Sequence, residues 1–366
     1  MSNQETYQEQ IQFPAQQELK HLRTRCGKVY ALGNNRFRAV VQTTPVHEYD
    51  AATHQWVELS AEKRQQMATQ AHSPIAMLAD NSADSAAGIL DTYVKEGSQQ
   101  NFSHDERLWI SNTNYYGNRL TYLKVVDLPR LGANHFITSA KLCLRNVYAP
   151  TADTAIMCKE VLEDWDPETI TYENRPNVSG VYQDYCRVVK NQYSWKEFDV
   201  TSLARKWYLG ENHGVQLSAP KSESSFSQLH SSETAKQPYF VLEYASLAGL
   251  ESYLTYDHQS AGLAGTGSVS LVNGNLIFAH ADTAMNGNRL PVSVTHYYNS
   301  CDSDKDEFGM GYGWRTSLHQ TLHKVLYNGE VAFVYTDGDG TEHFFKKKED
   351  DQKKYSDQSG LSLTLE

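Results

Sequence analysis

Residues 119–126 read RLTYLKVV, and apolar and polar side chains alternate along this stretch. Successive side chains of a β-strand point to opposite faces, so Leu123 and Val125 share one face and Tyr122 and Lys124 share the other. The alternation predicts a strand that buries its two aliphatic residues in a core and turns the other two outward.

Two further stretches repeat the pattern. KLCLRN (141–146) places Leu142 and Leu144 inward, and SWKEFDV (194–200) places Phe198 inward. A period of two is typical of strands with one buried face. The side chains predicted to face outward are Lys141, Cys143, Arg145, Trp195, Glu197 and Asp199.

Strand-like segments recur between Asp91 and Tyr244 at intervals typical of a β-sandwich. One segment, TSLARKWYLG (201–210), reads as a helix, with Thr201 as its cap and Gly210 at its end. The fold class that follows is all-β. The other segments that read as strands are AIMCKEV (155–161), TITYEN (169–174), GVQLSAP (214–220) and PYFVLEY (238–244).

Changes of composition along the chain predict its organisation. The first residues are rich in Gln and Glu, a middle stretch is rich in Ala, Ser, Gln and Asp, and longer strands with Asn-Gly and Asp-Gly turns follow the sandwich. The predicted parts are a disordered N-terminus (1–19), a small β-meander (20–60), a linker (61–87), a sandwich (88–246) and an antiparallel β-sheet region (247–366).

The charge balance excludes one class of partner. The 366 residues carry 33 Lys plus Arg against 44 Asp plus Glu, a formal net charge of −11. Binding to DNA or RNA rests largely on neutralising phosphates with basic residues, so no nucleic-acid partner is predicted. The apolar runs are far shorter than the roughly 20 residues that a membrane-spanning helix needs, so no membrane span is expected either.

The middle segment resembles the DNRLRE domain, which is also carbohydrate-binding module family 96. The landmarks occur in order: YGNRLTYLKV (116–125), ITSAKLCL (137–144), DWDPETITYENRP (164–176), FDVTSLARKW (198–207) and SSETAKQPYFVLEY (231–244). The resemblance implies a jelly-roll-like β-sandwich that binds polysaccharide, and the outward basic residues described below extend this expectation to acidic glycans.

The third segment resembles the opening of RHS-repeat proteins, through NGNL (273–276), RLPVSVTHYYNS (289–300), GYGW (311–314) and TDGDGTEHFF (336–345). This resemblance implies that 247–366 is the truncated start of an RHS-type β-sheet shell, with the rest of an RHS-type polypeptide as its partner. Together the two resemblances imply a non-catalytic bacterial protein that is secreted or attached to the cell surface, although no signal peptide is recognisable. The alternative is a structural cap or spacer without a glycan ligand.

The outward side chains of the sandwich supply the predicted ligand-binding residues. Aromatic faces stack on the C–H surfaces of sugars, and Arg or Lys pairs with uronate carboxylates. The predicted set is Tyr122, Lys124, Arg145, Lys159 and Trp195.

Catalytic and cofactor motifs are missing from the sequence. Neighbouring acids such as Asp164 and Asp166 do not form the separated pair that a glycosidase requires, and we interpret Trp165 between them as a packing residue at a strand end. We predict no enzymatic activity and no cofactor; structural calcium is compatible with the acidic loop at Asp302 but is not predicted, because position six of a calcium loop there is Glu307 instead of Gly.

Overall fold

The computed structural model is nearly all β, which confirms the predicted fold class. The predicted disordered N-terminus and the linker lie outside the residues that the structure describes. The described residues are 27–33, 35–42, 47–50, 55–58, 88–131, 134–147, 152–221, 224–251, 254–286, 291–302, 306, 308–327, 330–348, 351, 353–358 and 363–366.

The described residues fall into two units by their contacts. The sandwich unit comprises 27–32 and 36–245, and the second unit comprises 33, 35 and 246–366. The elements of the sandwich unit are β1 (Gly27–Gly33), β2 (Arg36–Gln42), β3 (His47–Asp50), β4 (Gln55–Glu58), β5 (Ile89–Lys95), β6 (Arg107–Thr113), β7 (Gly117–Val125), β8 (His135–Arg145), β9 (Thr154–Val161), β10 (Val178–Val188), β11 (Trp195–Asp199), α1 (Thr201–Trp207), β12 (Val215–Ser218), β13 (Ser225–His230) and β14 (Tyr239–Ser246).

Two antiparallel sheets make up most of this unit. The five-stranded sheet has the order β1-β2-β14-β8-β11, and the seven-stranded sheet has the order β10-β9-β12-β7-β6-β13, with β5 paired to β7. The stretch predicted as a separate meander at 20–60 contributes β1 and β2 to the first of these sheets, while β3 and β4 form a two-stranded sheet. The domain boundaries given above remain predictions.

The inward faces predicted from alternation are confirmed. Leu123 and Val125 of the seven-stranded sheet are 1% exposed, and Leu142, Leu144 and Phe198 of the five-stranded sheet are at most 1% exposed. Each sheet therefore contributes one apolar face to the core, as a sandwich requires.

The predicted helix is present, but Thr201 is not its cap. The helix begins at Thr201 with Val200 at the N-cap position, and no side chain caps it. The Thr201 hydroxyl instead accepts a hydrogen bond from the Ala140 backbone N–H at 2.9 Å. Leu203 and Trp207 are buried on the same side, which fixes the helix against β8.

The strand predicted for TITYEN (169–174) is wrong, because these residues form turns. The Asn174 side chain accepts a hydrogen bond from the Thr171 backbone N–H at 2.6 Å and donates to the Thr169 carbonyl at 3.0 Å. Such local side-chain bonds compete with the ladder bonds of a sheet.

The second unit contains two five-stranded antiparallel sheets, ordered β15-β16-β17-β18-β19 and β20-β21-β22-β23-β24. The buried apolar residues Ile277, Val325, Phe344 and Phe345 belong to these sheets. Its strands are β15 (Tyr256–Ser260), β16 (Thr266–Ser270), β17 (Leu276–Asn286), β18 (Pro291–Asn299), β19 (Trp314–Thr316), β20 (Thr321–Tyr327), β21 (Glu330–Thr336), β22 (Glu342–Lys347), β23 (Tyr355–Asp357) and β24 (Thr364–Leu365).

Candidate functional site

The five residues predicted to bind a ligand lie on two different sheets. Tyr122, Lys124 and Lys159 belong to the seven-stranded sheet, whereas Arg145 and Trp195 belong to the five-stranded sheet. The structure brings Arg145 and Trp195 together as directly opposed residues of β8 and β11. The five residues do not form one continuous platform.

Tyr122 is fully buried, so its predicted exposure to solvent is wrong. The outer face of β7 carries a second apolar layer, in which Tyr122, Val161 and Ile170 form a buried cluster with Trp165 packed against it. The phenol hydroxyl accepts a hydrogen bond from the Gln216 side chain at 2.6 Å, and burial raises the pKa of Tyr122 to about 12. A ring enclosed in this way offers no face to a sugar.

Lys124 forms an ion pair with Asp164, the residue before Trp165. Its ammonium lies 3.2 Å from the Asp164 carboxylate, and the His213 ring nitrogen lies 2.9 Å from the same oxygen. These two hydrogen bonds, that of His213 first, lower the pKa of Asp164. The packing role expected for Trp165 is confirmed, since its ring packs against the Tyr122 cluster; its indole N–H also donates to the His213 carbonyl at 2.8 Å.

Lys159 is half-buried on β9 and lies opposite Gln216 of β12 and Tyr182 of β10. One strand, β12, lies between β9 and β7 in the sheet. Lys159 therefore lies on the same sheet as Tyr122 and Lys124 and on a different sheet from Trp195.

Trp195, Arg145 and Tyr239 form an open aromatic and basic surface on the five-stranded sheet. The Trp195 indole is 36% exposed, its ring centroid lies 4.9 Å from that of Tyr239 in an edge-on arrangement, and the Arg145 guanidinium carbon lies 6.0 Å from the indole centroid. The Nε atom of Arg145 has no hydrogen-bond partner among the described residues. In the part of the chain that the structure describes, no carboxylate lies within ion-pair distance of the Arg145 guanidinium.

A basic pocket of about 260 Å³ opens in the sandwich unit where β6, β13 and the end of β8 meet. Arg107 lies opposite His230 in the β6–β13 pairing, and the Val147 backbone N–H donates to the Gln228 carbonyl at 2.9 Å. The residues that line the pocket are Glu106, Arg107, Val147, His230, Thr234, Ala235 and Lys236.

The pKa of His230 reflects the charges around the pocket. Burial, followed by the charges of Lys236, Arg145 and Arg107, lowers the pKa of His230 to about 4. His230 is therefore neutral at pH 7 and offers one donor and one acceptor. Arg107 and Lys236 line the pocket together with one acid, Glu106. The charge of Arg145 also acts on His230, so a carboxylate entering the pocket would meet a net positive charge.

A buried acid holds the loop that carries Lys236. Asp91 is 4% exposed, and its carboxylate accepts hydrogen bonds from the Ser232 backbone N–H at 2.7 Å and from the Ser232 hydroxyl at 3.1 Å. Burial outweighs these bonds and, with the nearby charge of Glu233, raises the pKa of Asp91 to about 7. The hydroxyl of Thr234 in the same loop donates to the Ser231 carbonyl at 3.1 Å.

Sequence reasoning missed Tyr239 and the pocket residues Arg107, His230 and Lys236. Tyr239 was within reach of the alternation rule, because it alternates with buried Phe240 and Leu242 in PYFVLEY (238–244). Arg107 and His230 are distant in the sequence, and only the β6–β13 pairing brings them together.

Two different protein families match the sandwich and the second unit of the chain. Residues 82–244 match carbohydrate-binding module family 96. This match includes the DNRLRE-type landmarks and suggests that the sandwich binds carbohydrate. Residues 266–345 match a domain of unknown function, DUF6531, and no curated protein matches the chain.

Among the described residues, no three His, Cys, Asp or Glu side chains are placed to hold one metal ion. Within the same part of the chain, no helix has the length and apolar character needed to cross a membrane.

Proposed function

We propose that the sandwich unit binds an acidic polysaccharide through the basic pocket and the adjoining surface of Trp195, Arg145 and Tyr239. The observation that carries the proposal is the pocket of about 260 Å³ lined by Arg107, Lys236 and His230, with the charge of Arg145 close by. A uronate sugar has an apolar C–H face and a carboxylate, and this arrangement offers a partner to each.

The electrostatic argument is local. The chain as a whole carries a formal charge of −11, which repels a polyanion at long range. At the ionic strength of a cell surface, charges further apart than about 8 Å are largely screened, so the cations around the pocket dominate at contact. Arg also forms two parallel hydrogen bonds to a carboxylate, which gives the pocket a preference for uronates over neutral sugars.

In the wider protein, we infer a bacterial, secreted or surface-attached chain in which the second unit is the opening part of an RHS-type shell. The match of residues 82–244 to carbohydrate-binding module family 96 and the resemblance of 273–345 to the opening of RHS-repeat proteins support this placement. The sandwich then serves to attach such a protein to polysaccharide.

Affinity electrophoresis of the full chain tests the proposal, with gels that contain alginate, polygalacturonate, a neutral glucan or no glycan. We expect retarded migration in the two uronate gels alone. The double variant Arg107→Ala/Lys236→Ala should lose the retardation, and Trp195→Ala should weaken it about tenfold, the loss expected for one aromatic contact.

The matched control is Lys124→Ala/Lys159→Ala. It also removes two positive charges, but from β7 and β9, away from the pocket. It should migrate like the parent relative to the glycan-free gel. Loss of retardation in this control instead would move the site to the β7–β9 part of the seven-stranded sheet, where three of the five residues predicted from the sequence lie. Unretarded migration of the parent in every gel would leave the sandwich as a structural cap or spacer.

A further inference from the structure

A second group of aromatic side chains lies on the β6–β13 side of the sandwich unit. Trp109 of β6 lies 5.3 Å from Phe226 of β13 between ring centroids, and Phe226 stacks on Tyr116 at 4.5 Å. Tyr115 meets Tyr116 edge-on at 4.8 Å and is 87% exposed. Trp109, Tyr116 and Phe226 are only partly buried, so the group reaches the surface.

Arg119 completes this aromatic cluster, which we define as Trp109, Tyr115, Tyr116, Arg119 and Phe226. Its guanidinium carbon lies 4.2 Å from the Trp109 centroid and 5.7 Å from that of Tyr116. The Nε and Nη1 atoms are buried and have no hydrogen-bond partner among the described residues. The guanidinium is stacked on the rings, and in the described part of the chain no carboxylate lies within ion-pair distance of it.

The strand pairing puts this cluster and the basic pocket on one face. Arg107 lies opposite His230, Trp109 opposite Gln228, and Ser111 opposite Phe226. Directly opposed residues of antiparallel strands share a face, and residues two apart along a strand do so as well. Arg107 and His230 of the pocket thus share a face with Trp109 and Phe226 of the cluster.

The same pairing gives the distance between the two features. From His230 to Phe226 is four residues of β13, about 13 Å at the rise of a strand. That span is longer than a single sugar ring. A ligand that reaches from the pocket to the cluster must therefore be an oligosaccharide.

We propose that the aromatic cluster is a second subsite, which binds further sugar residues of a chain whose carboxylate occupies the basic pocket. The inference rests on the proposed function of the pocket and adds a requirement for chain length. The rings of Tyr116 and Phe226 take the apolar faces of the sugars, and the positive charge of Arg119, held against the rings, attracts the carboxylate of the next uronate. Affinity then rises with the number of sugar residues.

Isothermal titration of the full chain with uronate dimers and hexamers measures this dependence, using both oligogalacturonates and oligomannuronates. The parent should bind at least one hexamer about tenfold more tightly than the matching dimer. Tyr116→Ala should remove that advantage and leave the dimer affinity unchanged. Tyr115→Ala, a change at a largely exposed side chain that leaves the fold intact, should weaken hexamer binding severalfold.

Tyr182→Ala is the matched control, because Tyr182 is 50% exposed on β10, at the opposite end of the sheet order from β13. It should bind both lengths like the parent. Equal affinity of the parent for dimer and hexamer, or parent-like hexamer binding by both Tyr115→Ala and Tyr116→Ala, would overturn the second subsite. Parent-like binding of both lengths by Arg107→Ala/Lys236→Ala would refute the pocket instead, and absence of binding to every oligomer would refute both.

Discussion

The two outer faces of the sandwich look alike in sequence and differ in the structure. On the seven-stranded sheet, Tyr122 of TYLKV (121–125) is 0% exposed beneath an added apolar layer; on the five-stranded sheet, Trp195 of WKEF (195–198) is 36% exposed. Alternation along a strand fixes which side chains share a face. It does not fix whether another segment covers that face.

The covering segment explains the difference. Residues 163–177 follow β9 and bring Trp165 and Ile170 onto the outer side of β7. A face that receives such a segment becomes core, and its polar residues become ion-pair partners within the fold, as Lys124 does with Asp164. Ligand binding is then left to the surfaces that no such segment covers, which are the five-stranded sheet around Trp195 and the β6–β13 part of the seven-stranded sheet.

Among the variants that test this contrast, we expect removal of the Tyr122 ring to change the free energy of unfolding most. Tyr122→Ala should lower the free energy of unfolding by about 3 to 5 kcal/mol, since it leaves a cavity and strands the Gln216 donor. Tyr182→Ala, at a half-exposed tyrosine of the same sheet, should change it by no more than about 0.5 kcal/mol. Urea unfolding of both variants checks this. Equal effects would mean that the two tyrosines are equally covered, and the contrast between the faces would fail.

A smaller effect concerns the support of the pocket loop by Asp91. The unfolded carboxyl ionises near 3.8, whereas the folded group has a pKa of about 7, so stability from this group is present at low pH and is lost as pH rises through that range. Between pH 5 and pH 7 the loss is roughly 2.5 kcal/mol. Asp91→Asn should remove this part of the pH dependence while keeping an acceptor for Ser232.

Urea unfolding of the parent and of Asp91→Asn at pH 5 and pH 7 measures this difference. We expect the stability of the variant relative to the parent to be greater at pH 7 than at pH 5. Parallel pH profiles would show that the carboxyl is ionised throughout, and that Asp91 supports the loop as a charged group.

The smallest expected effect is that of Lys124→Ala. Its ion pair with Asp164 is partly exposed to solvent, so its loss should cost no more than about 1 kcal/mol in unfolding free energy. Thermal denaturation gives this value, and titration with a uronate hexamer should show parent-like affinity. A clear drop in affinity without a loss of stability would assign ligand binding to the covered face after all.

Much of the fold could be predicted from the sequence, because strands with one buried face carry a period of two. Leu123, Leu144 and Phe198 follow this rule, and all three are buried. TITYEN (169–174) does not follow it, although its β-branched and aromatic residues favour a strand, because Asn174 and Thr171 bond locally and close a turn. Composition alone does not separate these outcomes.

The candidate site could be predicted only in part. Arg145 and Trp195 were found because each faces outward on its own strand, and their pairing across β8 and β11 follows from topology. The pocket depends on pairs that are far apart in the sequence, such as Arg107 with His230, and on a loop fixed by Asp91. No local pattern in the sequence encodes such contacts.

The pairing of β2 with β14 has a consequence for biosynthesis. Val41 lies opposite Phe240, so strands nearly 200 residues apart are neighbours in one sheet. A ribosome that adds 5 to 20 residues per second needs about 10 to 40 seconds to make the intervening chain. Throughout that interval β2 lacks its partner strand on the nascent polypeptide, and its unpaired edge is available to chaperones or to unwanted association.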